Sequence, residues 1–503
     1  MRATPSCART QRVVPSGRRG SVLLVVALAV PLAVLLTSER RIAGAAGFPL
    51  DDSWIHLQFA RNIAEGAGFS YNPGVPVAGS TAPLWTLLLG AAFALFGPSI
   101  VIVKVIGVAL TLAAGVVTRQ AALAWGASAP AALAAAFAVL WTGPLAWGSL
   151  SGMEVPLAAT LVAATLWAHA RGRLFLTALF AALAPLARPE SIVLLPLIAL
   201  STPPTLRRVG VFIGLAAVAL APAVAFSLAT VGAPVPATAA AKIEGGVLGW
   251  LAGVHEPLGR LLVTRPWQFT REWIGWLWTT HVLLPIALAP AVIVVWRRVG
   301  PALGLPALAL IVHPLAMALL APYRGPGFQE GRYSAHLLPL AFIVLVVALG
   351  PTWTRRRGAL AAVWLALALA SLLPAAARYA WGVQNINAMQ VRVGHWVAEN
   401  VPRHGRLALN DIGAIAFISR RPVIDLMGLV TPEIIPYRRQ GEEGILRFVG
   451  EQCPDYVIVF PVWFPDMTAR RYLLEPVFRV RLERNEVAGA DEMVVYRLRR
   501  CAV

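Results

Sequence analysis

Long apolar runs separated by small groups of arginine dominate the chain until residue 377, where the pattern changes. Runs near 21–37, 100–118, 129–147, 155–170, 174–187, 190–206, 209–229, 271–296, 301–320, 336–352 and 358–376 are candidates for bilayer-crossing helices. The basic groups between them are the arginines of the N-terminal tail, Arg119, Arg171 with Arg173, Arg207 with Arg208, Arg297 with Arg298, and Arg355 to Arg357. Placing every group in the cytoplasm requires an outward crossing and a return between successive groups, which these eleven runs supply. The run from Pro83 to Phe96 is short for a span and would put Arg119 outside if it crossed, so it reads as a re-entrant or interfacial helix. The first run also has the look of a signal-peptide core followed by the cleavage-like AGAAG, but its length favours a span, and either reading leaves the same faces outside.

Beyond Ala377 charge and β-branched residues rise. A helix near 386–400, a strand around RLALN, a helical DIGAIAFIS, a strand around PVIDLMG, a helix before Cys453 and the strands DYVIVF, FRVRLER and EMVVYRL predict a small soluble α/β domain. The expected layout is a basic cytoplasmic tail (1–20), a transmembrane region (21–376) with its first outer loop at 38–99, and an extracytoplasmic α/β domain (377–503). The fold class is thus an α-helical polytopic membrane protein with about eleven transmembrane helices and a C-terminal extracytoplasmic α/β domain.

Composition agrees: 58% of the 503 residues are hydrophobic and only 13% are charged, too apolar for an ordinary soluble fold. The net charge of +19 does not signal nucleic acid, because the arginines stand between spans rather than on one basic face. All ten acids before residue 377 fall in or at the edge of outward segments, which insertion does not require, so the outer face carries the function. Cys7, Cys453 and Cys501 lack metal-ligand spacing; Cys453 and Cys501 either pair or remain free thiols.

The chemistry concentrates where the first span ends. Asp51 and Asp52 open a short surface helix with Ile55, Phe59 and Ile63 on one face and His56, Arg61, Asn62 and Glu65 elsewhere, followed by a Gly/Pro-rich loop. A helix cap at Asp52 or Ser53 accounts for one carboxylate but not for both in an acid-poor chain, so at least one reads as functional. Only two of the 43 basic residues are lysines. Lys242, in VPATAAAKIEGG, suits a phosphate as a point charge or is a solvated loop residue, while Lys104 is expected to snorkel. In YRGPGFQEGRYSAH, Tyr323 and Arg324 read as interface anchors, Arg332 with Tyr333 as a lipid-phosphate site, and Glu330 as support. Glu154, Arg188 and Glu190 occupy two short outer turns and read as supporting pairs, with His56 and Arg61 as further support. His255, His281 and His313 are isolated, and no HExxH, Walker, GxSxG or GxGxxG context is present.

The Asp51–Trp85 stretch, the SGME and RPE turns, AKIEGG, GRY before a span, and NDIGAIAFISRRPVIDLMGLVTPE together resemble bacterial membrane glycosyltransferases of the GT-C superfamily, in the arabinofuranosyltransferase-like and mannosyltransferase-like branch. The resemblance implies a GT-C-like transmembrane catalytic domain, a polyprenyl-phosphate sugar donor, and a glycan, lipid or protein acceptor reached from the extracytoplasmic side. It implies that Asp51 or Asp52 is the base, that Lys242 and Arg332 hold the donor phosphate, and that transfer inverts the anomeric centre. No cofactor is expected; a divalent ion beside the aspartates is the alternative. Ser80-Thr81 departs from the commonest relatives, so acceptor preference is not carried over. A lipid or solute transporter and a non-catalytic envelope-assembly protein are the rival classes, disfavoured by charges gathered at one face and by the absence of paired halves.

Overall fold

A computed structural model describes residues 17–499; most of the expected N-terminal tail, Cys7 and Cys501 lie outside the described residues. Cys453 is disulfide-bonded. All eleven apolar runs contain helix, but 190–206 is helical only to Ala199 and 129–147 bends by 56° at Thr142, and Pro83–Phe96 forms a separate helix of 14 residues. Among the described residues, six helices are long and apolar enough to cross a membrane, or eight if each of two bent pairs is one span. Val155–Ala170, Leu174–Ala187 and Pro189–Ala199 are shorter apolar helices packed within the bundle. Helix starts follow local chemistry: Ser99, Ser128, Thr205 and Thr354 each accept a bond from a first-turn amide. Small residues let helices approach closely. At Gly107 an added Cβ would lie 2.3 Å from the Ser149 carbonyl oxygen, so the Ile100–Ala124 helix requires glycine there.

Two expectations need correction. The run at 271–296 is not one straight span, because Arg260–Thr280 and Leu284–Val299 meet at 106°; extended His281 ends the first helix and Pro285 begins the second. The last span does not stop at 376 either. Its helix continues from Arg355 through 387–391 to Asn400 and enters the C-terminal region without a linker.

The C-terminal region contains five strands, β1 (Leu407–Leu409), β2 (Val423–Asp425), β3 (Tyr456–Val459), β4 (Leu474–Arg481) and β5 (Glu492–Leu498), in spatial order β2-β1-β3-β5-β4. β1 is parallel to β2 and β3, with Leu407 opposite Val423 and Tyr456; β5 runs antiparallel to β3 and β4. Pleat alternation sends Ala408, Ile424, Val457 and Val494 to one face, against Leu446 and Val449 of the Glu442–Gln452 helix. Leu407, Leu409, Ile458 and Val495 share the opposite cluster with Ile55, Phe59, Tyr71 and Val77 from the segment after the first long helix. The domain core is therefore completed by the transmembrane half of the chain. Burying Ile55, Phe59 and Val77 contributes roughly 1.5–3 kcal/mol each as an upper figure.

Candidate active site

The Asp51–Ala64 helix is no surface helix. Eleven of its residues are buried, including the polar His56, Gln58, Arg61 and Asn62. Its apolar side packs on the sheet, while the polar side chains are satisfied by main-chain carbonyls: Gln58 donates to Tyr71 O, and Asn62 to Ser70 O and Tyr71 O.

Its first two residues point to different partners. Asp51 is 6% exposed and accepts from the amides of Gly413 (2.6 Å) and Ala414 (2.7 Å), so it caps the Gly413–Ser419 helix of the C-terminal domain rather than its own. A Cβ at Gly413 would meet Asp51 O at 2.1 Å, and only glycine admits this approach. Burial, followed by the charge of Asp411, raises the Asp51 carboxyl well above its ordinary range against the pull of those amides. Asp52 caps nothing; its side chain is 31% exposed and lies 2.6 Å from Arg332 Nη2. Burial works to raise this carboxyl, but Arg332 and Lys242 outweigh it and pull it down to about 2. Asp52 is therefore an ionised carboxylate beside cations, and Asp51 is a docking residue.

A cavity of about 340 Å³ opens over this pair. Lys242, Tyr323, Arg324, Phe328, Arg332 and Tyr333 form one wall. Tyr323 and Arg324, expected as interface anchors, instead line it: Lys242 Nζ sits 5.3 Å from the Tyr323 ring centroid. Arg332 Nη2 also donates to Tyr333 OH at 3.3 Å. Among the described residues, buried Arg332 Nε and Nη1 have no partner. Two guanidinium donors facing no acceptor beside a carboxylate are what an incoming phosphate oxygen would complete.

A chain of charges supports Arg332 from behind. His56 Nε2 approaches Glu154 at 3.6 Å; Glu154 pairs with Arg188 Nη1 at 2.5 Å; Arg188 Nε pairs with Glu190 at 2.6 Å. The Arg188 guanidinium lies 4.2 Å from the Tyr333 ring centroid. Burial would raise Glu154, but Arg188 foremost holds it well below the usual carboxylate range. His56, Glu154 and Arg188 also line a small recess with Asp52, Lys242 and Arg332, which joins the SGME, RPE and GRY turns in one site.

Three expected roles fall elsewhere. Arg61 is away from the cavity, donating to Phe417 O at 2.6 Å with its guanidinium 4.5 Å from the Phe417 ring, so it docks the domain. Glu330 forms a two-pronged pair with Arg378 (2.6 and 2.9 Å) and ties the loop to the last long helix. Lys104 does not snorkel; it is buried against Glu39 at 2.5 Å. Sequence reasoning missed the opposite wall of the cavity, where Gln390, Asn410, Asp411, Arg438, Phe460 and Trp463 stand. Their only signal was the Asn-Asp step between β1 and a glycine-led helix. The RPVIDLMGL motif also acquires a reason. Asp425 accepts from the Met427, Leu429 and Val430 amides and shapes the turn whose Leu429 O meets Thr238 Oγ1 at 3.3 Å. Among the described residues no group of three or more His, Cys, Asp or Glu is arranged to hold a metal ion.

Residues 384–496 match a domain of unknown function (DUF8728). No curated protein matches the chain. Solved structures do. ArnT from Cupriavidus metallidurans bound to undecaprenyl phosphate aligns with a TM-score of 0.59 and 14% identity over 96% of this chain and 99% of that one. The archaeal oligosaccharyltransferase AglB from Archaeoglobus fulgidus, in complex with an inhibitory peptide and a dolichol-phosphate, aligns at 0.57 and 12% identity over 92% and 73%. The chain thus has the GT-C fold implied by the sequence resemblance: a helical bundle of apolar helices carrying a small C-terminal sheet domain.

Proposed function

We propose that this chain is a membrane glycosyltransferase that moves a sugar from a polyprenyl-phosphate carrier to a glycan, lipid or protein acceptor on the extracytoplasmic face of the cytoplasmic membrane. The observation that carries the reading is the pairing of ionised Asp52 with Arg332, whose remaining buried donors await an acceptor, in a fold shared with a protein solved with undecaprenyl phosphate. The arginine groups and a disulfide at Cys453, which suits an oxidising compartment, support the outward orientation.

In this reaction the bond from the anomeric carbon to the carrier phosphate breaks while the acceptor oxygen forms a new bond from the opposite side. Negative charge grows on the departing phosphate and is met by Lys242, over the Tyr323 ring, and by Arg332, which is backed by Tyr333 and the Glu154–Arg188–Glu190 chain. Asp52 takes the proton of the attacking hydroxyl, and single displacement inverts the anomeric centre. When a phosphate oxygen engages Arg332, the grip of that arginine on Asp52 weakens and its carboxylate becomes more basic as the donor is seated. The leaving group is the lipid phosphate itself, so no nucleotide takes part, and the fixed cations supply the charge a resident cofactor would otherwise bring.

The test is transfer of labelled sugar from extracted polyprenyl-phosphate glycolipids in membranes holding equal amounts of the wild-type chain and Asp52→Asn. Product from the wild type and a loss of at least a hundredfold in the variant are expected. Equal product from both would refute the assignment of Asp52.

A further inference from the structure

Two walls of different chemistry face each other across the cavity. One wall carries Lys242, Arg324 and Arg332. The wall from the C-terminal region carries side-chain amides and aromatic rings beside one acid and one arginine: Gln390 in the 387–391 stretch of the long helix, Asn410 and Asp411 just after β1, Arg438, and Phe460 and Trp463 just after β3.

The hydrogen bonding of that second wall is incomplete. Gln390 Nε2 donates to Asp411 Oδ2 at 2.6 Å, and Asn410 Oδ1 accepts from the Phe460 amide at 3.3 Å. Among the described residues nothing meets Gln390 Oε1 or Asn410 Nδ2, although Gln390 is fully buried and Asn410 is 5% exposed. One acceptor and one donor therefore stand unmet on a wall that faces Asp52. Leaving such buried groups unpaired is costly, and a ligand that meets them removes that cost. A hydroxyl both donates and accepts, so vicinal hydroxyls on a ring would satisfy the pair, and Phe460 and Trp463 offer apolar surface for the ring's C–H faces. Trp463, 43% exposed, stands at the open edge. A group bonded to a phosphate held at Lys242 and Arg332 would share one cavity with these side chains, and a volume of about 340 Å³ suits a small ligand.

We infer that the C-terminal domain supplies a glycosyl-binding subsite, in which Asn410 and Gln390, with Asp411 and the Phe460–Trp463 aromatics, hold the hydroxyls of a sugar ring at the catalytic cavity. The inference rests on the transferase reading and gives the matched domain of unknown function a role in that reaction. The ring belongs to the lipid-linked donor or to the acceptor, and the kinetics separate the two.

The full chain, purified in detergent, is compared with Asn410→Ala and Gln390→Met. Donor is the polyprenyl-phosphate glycolipid fraction of the source membranes; the acceptor is the delipidated envelope fraction; undecaprenyl phosphate without sugar is the binding control. A rise of about tenfold in donor KM, with unchanged undecaprenyl phosphate binding, assigns the subsite to the donor sugar. A similar rise confined to acceptor KM assigns it to an acceptor sugar. Unchanged constants for both substrates overturn the inference, as does weakened undecaprenyl phosphate binding with a lowered melting temperature, which would make the two side chains structural. Failure of the transferase reading is distinct, since the wild type itself would then transfer nothing.

Discussion

Replacing Asp51 with Ala separates docking from catalysis. The carboxylate serves the Gly413 and Ala414 amides at 2.6 and 2.7 Å in a buried interface, so its loss strands two donors. At about 1–3 kcal/mol for each stranded amide the cost is at most about 6 kcal/mol, and relief of the unfavourable proximity of Asp411 reduces it to roughly 2–4 kcal/mol. The domain does not detach. Tyr71 OH donates to Ile412 O at 2.6 Å, Asn72 exchanges two bonds with Val423 at 2.8 and 2.9 Å, and Arg61 holds Phe417 O. Local opening of the Gly413–Ser419 helix becomes easier instead, and amide exchange there accelerates by roughly 30- to 1,000-fold at this free-energy change. Hydrogen exchange by mass spectrometry on peptides covering 410–420 reads this directly, with Asp52→Asn as the control that leaves exchange unchanged. Unaltered exchange in Asp51→Ala, or equal acceleration in Asp52→Asn, would refute the division of roles.

Further outcomes follow from the same geometry. Lys242→Met and Arg332→Gln should each lower kcat/KM for donor by about 10²–10³, with Arg332→Lys a poor rescue because it restores charge without the fork; activity in Arg332→Lys close to wild type would contradict the assignment. Burial raises both Asp51 and Asp411, so the folded state retains protons that the unfolded chain releases above about pH 4, and stability from this pair falls as pH rises through the raised values. Asp411→Asn should therefore gain stability relative to wild type between pH 5 and 7.5, by on the order of 1 kcal/mol, measured by denaturation in detergent at both pH values; a pH-independent difference would count against it. A chelator should leave transfer unchanged, since Lys242 and Arg332 supply the charge; loss on chelation with recovery on adding Mg²⁺ or Mn²⁺ would sink that part of the proposal.

Legibility tracked how strongly each feature depends on apolar patterning. Most apolar runs and the Glu442–Gln452 helix fall where apolar patterning placed them, because burial against lipid or a sheet face repeats along the chain, but the bends at Thr142 and His281 left no such signal. The same signal misread the Asp51–Ala64 helix. Ile55 and Phe59 marked one buried face, but the opposite face is buried through side chains bonded to distant carbonyls, which leave no hydrophobic period. Lys104 failed for a related reason: a snorkelling lysine and one paired with Glu39 look alike until the helices are packed. The cation wall was readable because lysine is rare and Arg332-Tyr333 precedes a span. The wall of Gln390, Asn410 and Asp411 was not, since neutral amides are common and these became neighbours only when β1 and the long helix met over the first loop.

The adjacency of Asp51 and Asp52 has a mechanical reading. Successive residues in an α-helix project about 100° apart, so two carboxylates in one first turn can address two bodies that neither could reach alone. One binds the start of a helix in the C-terminal domain and the other Arg332 of the cavity, both at 2.6 Å. Such short contacts tolerate little displacement, so a movement of the domain that pulls on Asp51 also shifts Asp52 relative to Arg332. Placement of the domain and alignment of the base are then one mechanical variable. A linker separating residue 51 from 52 should lower turnover even with every cavity residue intact, and turnover surviving such an insertion would show that the adjacency has no mechanical role.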